Sequence, residues 1–433
     1  MASKRVIVVG GGAAGIIAAW RAASLGSKVM LLEKTPRLGT KILISGGGKC
    51  NICHDGAIED VLQAFRQNEA RFLRPSVYRF PNTSVLEIFT SRGLEVYTRP
   101  DGRVFPVRQT AKEVVGILKS VLDDAGVTVC YETPVAGIKF ESGIARSVLS
   151  NEIEYEADAI VISTGGSSYP NSGTTGDGWA WVREIGHRPV PIRAALAPIY
   201  LNMVPPPHSP SSNKEGVLSA FADMSGIALR DIVAKARCNG KEITRWRGDM
   251  LFTHQGISGP CALAISREIA EVFPSKEVSV EVDLRPDLSP EEVGSQVTIW
   301  VLANPRRQIG TLLESILPEK LVAWFLEGCQ VQATMACASL PKSDRKRIIA
   351  SLKAWTIGFV RAVPLEKGEC VAGGVSLDEV EPQSMLSKFC TNLYLCGEIL
   401  DIAGPVGGYN LQAAFSTGYV AGESAAVGIR DKG

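Results

Sequence analysis

The residues best suited to chemistry stand together in K-I-L-I-S-G-G-G-K-C-N-I-C-H, residues 41–54. Cys50 and Cys53 have the C-x-x-C spacing, His54 follows directly, and Gly46, Gly47 and Gly48 precede them. Three chemistries use such residues. A structural zinc ion takes about four Cys or His ligands. The chain has four histidines and no second C-x-x-C, so the remaining ligands are hard to supply and no metal is expected. A redox dithiol is the second possibility, because C-x-x-C can lower a thiol pKa and make the thiolate reactive. The third uses the glycines: backbone without Cβ atoms can approach a large flat group. The elements on either side decide among them.

The stretch R-V-I-V-V-G-G-G-A-A-G-I-I-A-A-W-R-A-A-S-L-G-S-K-V-M-L-L-E-K opens the chain. Arg5 to Val9 is an unbroken β-branched run, as expected of a strand buried on both faces. Gly10, Gly12 and Gly15 fit G-x-G-x-x-G, with Ala13 and Ala14 between them, and a small-residue helix follows to Gly26. A second apolar strand ends on Glu33. Strand, glycine turn, helix, strand and terminal acid together are a dinucleotide-binding unit. Gly10 makes the turn, Gly12 lets backbone touch a pyrophosphate, and the helix N-terminus receives its charge. Glu33 can accept hydrogen bonds from an adenosine ribose, and an acid there favours FAD or NAD over NADP.

The far end repeats the logic. L-Y-L-C-G-E is a short buried strand, G-P-V-G-G-Y-N a loop, and L-Q-A-A-F-S-T-G-Y-V-A-G-E-S-A-A a small-residue helix. Asp401 can bind ribityl or ribose hydroxyls. The amides of Asn410, Leu411 and Gln412 are expected at the helix N-terminus, where they favour a flavin edge that turns anionic on reduction. The plainer alternative is a terminal helix docked on the sheet, with Asp401 as its cap. Between the ends, A-I-V-I-S-T-G-G-S-S-Y-P reads as another buried strand and a tight turn at Thr164, Gly165 and Gly166. V-T-V-C-Y-E-T-P-V-A-G-I-K-F reads as a strand whose backbone near Val135 can pair with an adenine edge, or as plain sheet.

Composition excludes several classes. A net charge of +1 creates no bulk attraction for nucleic acid or anionic membrane. Helices are expected over 308–329 and 342–359, and within the second the basic run D-R-K-R-I-I-A-S-L-K reads as a solvated helix face. No stretch reaches the ~18 apolar residues a spanning helix needs, and the glycine triplet argues against a signal peptide, so a cytoplasmic location is expected. The ten cysteines are scattered, mostly in apolar contexts, and read as reduced core residues.

Five segments in order, K-I-L-I-S-G-G-G-K-C-N, S-T-G-G-S-S-Y-P-N-S-G-T-T-G-D-G-W, M-L-F-T-H-Q-G-I-S-G-P, R-R-Q-I-G-T-L-L and C-G-E-I-L-D-I-A-G-P-V-G-G-Y-N-L-Q-A-A-F-S-T-G-Y-V-A-G, carry a resemblance over essentially the whole chain. It is similar to a family of bacterial NAD(P)/FAD-dependent oxidoreductases that includes aminoacetone oxidase and a reductase of dehydrogenated bile-acid intermediates. The resemblance implies an α/β fold: a Rossmann-like, two-lobed FAD-binding domain with a long inserted β-rich plus helical domain. It also implies site residues. Gly10, Gly12, Gly15 and Glu33 match the adenosine-pyrophosphate motif, and Lys34 and Lys41 match flanking basic positions. Ser45, Gly46, Gly47, Gly48, Cys50 and Asn51 match the loop beside the isoalloxazine. Gly397, Glu398, Asp401, Gly408, Tyr409, Asn410 and Leu411 match the segment that holds ribityl and flavin. Flavin disulfide reductases carry a wider cysteine spacing and a second nucleotide fingerprint, which this chain lacks, so the C-x-x-C is expected to be incidental.

The expected organisation is an FAD-binding domain from residues 1–189 and 361–433, with an insert at 190–360 that is β-rich first and helical later. Substrate is expected between cofactor domain and insert, since pockets favour domain interfaces. His254, in F-T-H-Q-G-I-S-G-P, is the one candidate for catalysis; no side chain stands out as an obligatory acid or base, because a flavin carries the hydride step itself. The expected function is hydride transfer from NADH or NADPH through FAD to an activated double bond of a small organic substrate. The alternatives are an oxidase of a small amine that releases peroxide, and an FAD-binding scaffold or RNA-modification partner without turnover.

Overall fold

The structure, a computed structural model, describes residues 3–108, 110–203 and 221–428. The proline-rich run 204–213 lies outside them. The chain divides into two compact units, Met1–Arg193 with Glu369–Gly433, and Ala194–Gly368.

The first unit is built on a sheet whose parallel strands are the predicted apolar runs. In spatial order they are Leu393–Leu395, Ala159–Ile162, Arg5–Val9, Lys28–Leu32 and Thr128–Cys130. Val6 to Val9 and Ala159 to Ile162 are all buried and in register, Val6 opposite Ala159. Burial on both faces explains why these runs do not alternate. The strand order reverses between Arg5–Val9 and Ala159–Ile162, and ligand crevices in such sheets open at this point. Ser163 zips the two strand ends, donating to the carbonyls of Val9 (2.9 Å) and Gly10 (3.0 Å).

Two helices of small residues lie against this sheet, Ala13–Ser24 and Tyr409–Val427. Their backbones touch: a Cβ on Gly418 would stand 2.3 Å from the Ala14 carbonyl oxygen, and one on Gly422 2.1 Å from that of Ala18. The pairs 418–14 and 422–18 run in the same direction, so the helices are parallel. From these pairs the C-terminal helix begins eight residues before its neighbour, a stagger of about 12 Å at 1.5 Å per residue.

The stretch expected as one strand at 127–140 is two. Thr128–Cys130 stays in the parallel sheet. Val135–Glu141 joins a separate antiparallel sheet with Ile144–Ser150 and Ile153–Glu156. Glu132, with φ +52°, and Pro134, which cannot donate to a ladder, break the run.

The second unit contains a closed barrel of six strands: Ile199–Asn202, Gly256–Ser258, Lys241–Thr253, Ala228–Cys238, Val278–Asp283 and Trp355–Ala362. Helices Gly259–Val272, Pro290–Ala303, Glu319–Gly328 and Lys342–Lys353 add to its core. Two readings are corrected here. The helix expected over 342–359 stops at Lys353, and Trp355–Ala362 is a barrel strand. The helix expected over 308–329 is two, Ile309–Leu313 and Glu319–Gly328, separated around Pro318. The unit's limits, 194 and 368, also differ from the expected 190 and 360.

Candidate functional site

Helix Ala13–Ser24 starts at Gly12, whose backbone is extended, with φ −82° and ψ −172°. No side chain caps this N-terminus, and no acidic residue stands in its first turn. Its free N–H groups and positive pole are open to an anion. A Cβ on Gly12 would meet nothing within 4 Å, whereas one on Gly15 would stand 1.9 Å from the Gly10 carbonyl oxygen. Gly15 is therefore required by the chain itself, and Gly12 leaves a cradle that a Cβ would fill. Ala13 opens the helix, and Ala14 is buried under Gly418.

Glu33 stands beside this turn. Its carboxylate accepts from the Gly11 N–H (2.7 Å) and the Thr35 N–H (2.7 Å). The Thr133 N–H donates to the Glu33 carbonyl (2.9 Å), which carries the chain past Glu33 two residues before Val135. Lys34 turns away to bond Thr175 and Asp177.

The glycine triplet lies at the end of helix Thr40–Gly48, which breaks at Ser45. Gly46, Gly47 and Gly48 all have positive φ, as does Cys50 at +56°. A Cβ on Gly47 would meet nothing within 4 Å, so one side of this loop is bare backbone. Lys41, one turn earlier, donates to Glu398 (2.6 Å) and Ser168 (2.9 Å). Glu398 also accepts from the Val371 N–H, and Asp401 from the Gly373 N–H (2.8 Å). Gly165 and Gly166 face the same group, since Cβ atoms on them would approach the Glu398 carboxylate, whereas the Thr164 hydroxyl points to Gly178, where a Cβ would stand 2.3 Å from it. Gly397 is held by its N–H to Thr417 (3.0 Å).

The C-terminal helix begins at Tyr409, two residues before its expected start, behind Gly408 with φ +90°. The Gln412 N–H is already spent on the Gly408 carbonyl (3.1 Å). The free amides of the first turn are therefore those of Tyr409, Asn410 and Leu411, which corrects the reading that placed Gln412 among them. The Asn410 side chain is structural: its amide pairs with both the N–H (2.8 Å) and the carbonyl (2.9 Å) of Gly404.

The loop and this helix meet. A Cβ on Gly408 would strike the Cys53 carbonyl carbon at 2.5 Å, and the His54 ring stacks on Tyr409 at 4.8 Å. Cys50 and Cys53 are free and fully buried. Burial pushes both thiols up to about 12, with Asp55 adding to the effect at Cys53. A nucleophilic thiolate needs the opposite environment, so a redox dithiol does not fit these residues. Among the described residues no group of three or more His, Cys, Asp or Glu side chains is placed to hold a metal ion.

Four buried polar atoms here have no protein partner: Asn51 Oδ1, His54 Nδ1, Thr164 Oγ1 and Gln412 Oε1. Asn51 and Thr164 are residues expected at the cofactor. Leaving such groups unpaired costs roughly 1–3 kcal/mol each, so these positions fit a bound polar group. Three participants were invisible in the sequence. Ser168 sits on Lys41. Thr175 shares Lys34 with Asp177. Glu369 is exposed, and the protein packed around it raises its pKa against the opposing charge of Lys41. His254 belongs to the other unit, in an exposed turn between strands Lys241–Thr253 and Gly256–Ser258.

Comparison with known proteins adds to this geometry. The chain is 29% identical to the 3-dehydro-bile acid delta(4,6)-reductase of Clostridium scindens, over 98% of this chain and 99% of that one. It is 29% identical to the ribosomal RNA dihydrouridine synthase of Haemophilus influenzae, over 95% of this chain and 96% of that one. Among solved structures, the 3-ketosteroid delta1-dehydrogenase of Sterolibacterium denitrificans aligns with a TM-score of 0.53 at 13% identity, covering 99% of this chain and 100% of that one, a likeness of fold. The model of the HI0933-like protein Rossmann domain matches residues 4–424. A match of that extent, on a sheet of this construction, makes the chain a member of the HI0933-like Rossmann family.

Proposed function

We propose that the chain is an FAD-dependent reductase that takes hydride from NADH or NADPH and delivers it to a carbon–carbon double bond conjugated to a carbonyl in a small organic molecule. The observation that carries this reading is the pair of uncapped helix N-termini, at Gly12 and Gly408, parallel and staggered by about 12 Å. Two staggered positive poles suit a ligand with two separated negative centres. FAD is such a ligand, with a fixed charge at its pyrophosphate and a second at its pyrimidine edge on reduction. When bound, it supplies the two-electron chemistry.

The chain's own residues then have distinct tasks. The N-terminus at Gly12 holds the pyrophosphate, and Glu33 the adenosine ribose. The bare backbone at Gly47 lies against the ring. The amides of Tyr409, Asn410 and Leu411 favour negative charge at the flavin's carbonyl edge, an effect of ~1 kcal/mol or more where solvent is excluded. Lys41, Asp401, Asn51 and Thr164 supply polar contacts along the polyol and ring.

The relatives' names support the substrate class. A 4,6-dien-3-one and the C5–C6 bond of uridine are both double bonds conjugated to a carbonyl. In uridine and at the 4,5-bond of the dienone, hydride goes to the β-carbon and a proton to the α-carbon; at the 6,7-bond hydride goes to the δ-carbon and a proton to the γ-carbon. A small substrate is favoured over RNA by the charge of the barrel's long hairpin. There Arg230 pairs with Asp249, Arg237 with Glu281, Arg245 with Glu242, and Arg247 with Asp231 and Asp287. Cations neutralised in this way release few counterions on meeting phosphate.

The test is an anaerobic one. The FAD-loaded protein is reduced with NADH or NADPH and mixed in stopped flow with a 4-en-3-one, a 4,6-dien-3-one, a uridine-containing RNA, aminoacetone-derived imine or oxygen. Fast reoxidation by the enones supports the reading. Reoxidation by RNA alone moves the substrate to uridine. Reduction by aminoacetone, with peroxide as product and no use of nicotinamide, overturns it in favour of an oxidase.

A further inference from the structure

We infer that the exposed face of helix Pro290–Ala303 is a two-fold interface with a second copy of this chain. One side of the helix, Val293, Val297 and Val301, is buried in the core of its unit. The other carries Glu292, Ser295, Ile299 and Leu302, spaced three and four apart and all exposed, which places them on one stripe. Ile299 (64% exposed) and Leu302 (70%) are the most exposed large apolar side chains among the described residues. The stripe itself borders a shallow, open depression of about 520 Å³ on this helix, lined by Glu291, Glu292, Ser295, Gln296, Ile299 and Trp300.

Charge selects the occupant. Glu291 and Glu292 are exposed at the N-terminal end, and Arg306 and Arg307 are exposed just beyond the C-terminal end. None of the four forms an ion pair with another described residue. In a two-fold dimer each contact occurs twice, with the roles of the copies exchanged. An antiparallel pairing centred on Ile299 sets Ile299 on its own copy. Because the helix ends at Ala303 and the chain turns at 304–307, the same pairing brings the acidic end, Glu291 and Glu292, toward the basic turn of the copy, Arg306 and Arg307, without a fixed residue-for-residue register. It also brings the copy's Leu302 opposite Gln296, over the depression. Antiparallel helix dipoles add to the fit. A helix about 21 Å long covers less than the ~800 Å² per partner of a standard interface, so the dimer is weak and concentration-dependent.

Sedimentation equilibrium of the full-length, FAD-loaded protein tests this. The weight-average mass should rise from 46.3 kDa toward twice that value with concentration. Ile299→Asp, which sets two carboxylates against each other at the axis, should hold the mass at the monomer value, with flavin retention and far-ultraviolet dichroism unchanged. Glu291→Lys and Arg307→Glu should each weaken association, and together restore it. Ile299→Cys should cross-link to itself under mild oxidation. A monomer at every concentration, or a dimer that Ile299→Asp leaves intact, overturns the inference.

Discussion

Gly12→Ala separates binding of the cofactor from folding of the chain. The backbone at Gly12 is extended, with φ −82° and ψ −172°, which alanine adopts without strain. Its new Cβ meets nothing within 4 Å of protein. The cost to the fold is that of a poorer N-cap, about 1 kcal/mol or less, worth roughly 2–4 °C or less in a unit of this size. The methyl group instead occupies the cradle where pyrophosphate meets backbone N–H groups. Displacing the phosphate forfeits one or two charge-assisted hydrogen bonds, each worth about 1.5–3 kcal/mol. FAD affinity should therefore fall by a factor on the order of 10 to 10⁴. Gly15→Ala is the control: its Cβ lies 1.9 Å from the Gly10 carbonyl oxygen, and such overpacking costs about 1–3 kcal/mol of stability. The assay is fluorescence-quench titration of apo-protein with FAD, beside thermal melts of the apo forms. Gly12→Ala should melt like the parent and bind poorly; Gly15→Ala should fail in both. Parental affinity in a folded Gly12→Ala protein would refute a pyrophosphate at this turn.

Cys53→Ser should leave flavin absorbance and turnover nearly unchanged, and iodoacetamide should spare Cys50 and Cys53 in the native protein at pH 8, since burial holds both thiols near 12; loss of turnover beyond ~10-fold in a folded variant would restore the dithiol. Lys41→Met removes the cation between Glu398 and Ser168 and should weaken FAD binding about 10-fold by loss of one charge-assisted bond; an unchanged Kd in the same titration would place Lys41 outside the site. Buried His187, bonded to Glu379 (2.9 Å) and Ser387 (2.8 Å), has its pKa lowered because burial outweighs the pull of Glu379. The unfolded chain then takes up this proton first, so stability is present above pH ~6.5 and declines as pH falls, by up to ~1.4 kcal/mol per unit. Urea melts of His187→Asn should show a shallower decline between pH 7 and 5 than the parent, and identical slopes would count against it.

The parallel sheet was legible because its strands are buried on both faces. Val6 to Val9 and Ala159 to Ile162 had to be unbroken apolar runs. The helix of Ala13–Ser24 was legible for a related reason: only small residues let its backbone reach that of Tyr409–Val427. Readings failed where a tertiary partner decides between two local states. Trp355–Ala362 follows a helical stretch without a glycine or proline to end it, yet it completes a barrel by pairing with Ile199–Asn202 and Val278–Asp283, far back in the chain. Val135 was read into one strand with Thr128–Cys130 because a four-residue break between two β-branched runs looks continuous in a linear reading. The polar partners of Lys41 were beyond reach altogether. Ser168 and Glu398 stand 127 and 357 residues away, and neither carries a spacing that announces the pair.

The C-x-x-C-H stretch shows how a motif's chemistry can be overridden by its neighbours. The backbone, the two thiols and one face of the histidine are consumed in packing. The Cys53 backbone lies under Gly408, where even a methyl group would not fit. His54 is held by its stack on Tyr409 and by Nε2 against the Asp101 carbonyl (3.2 Å), while its own carbonyl accepts from Asn82 (2.9 Å). The two thiols fill the space beneath the loop, fully buried. These contacts fix the glycine triplet, which has few side chains of its own to hold it, against the first turn of the C-terminal helix. The cysteines and histidine thus position the bare backbone of Gly46 to Gly48, and the positioned backbone is what a planar cofactor requires.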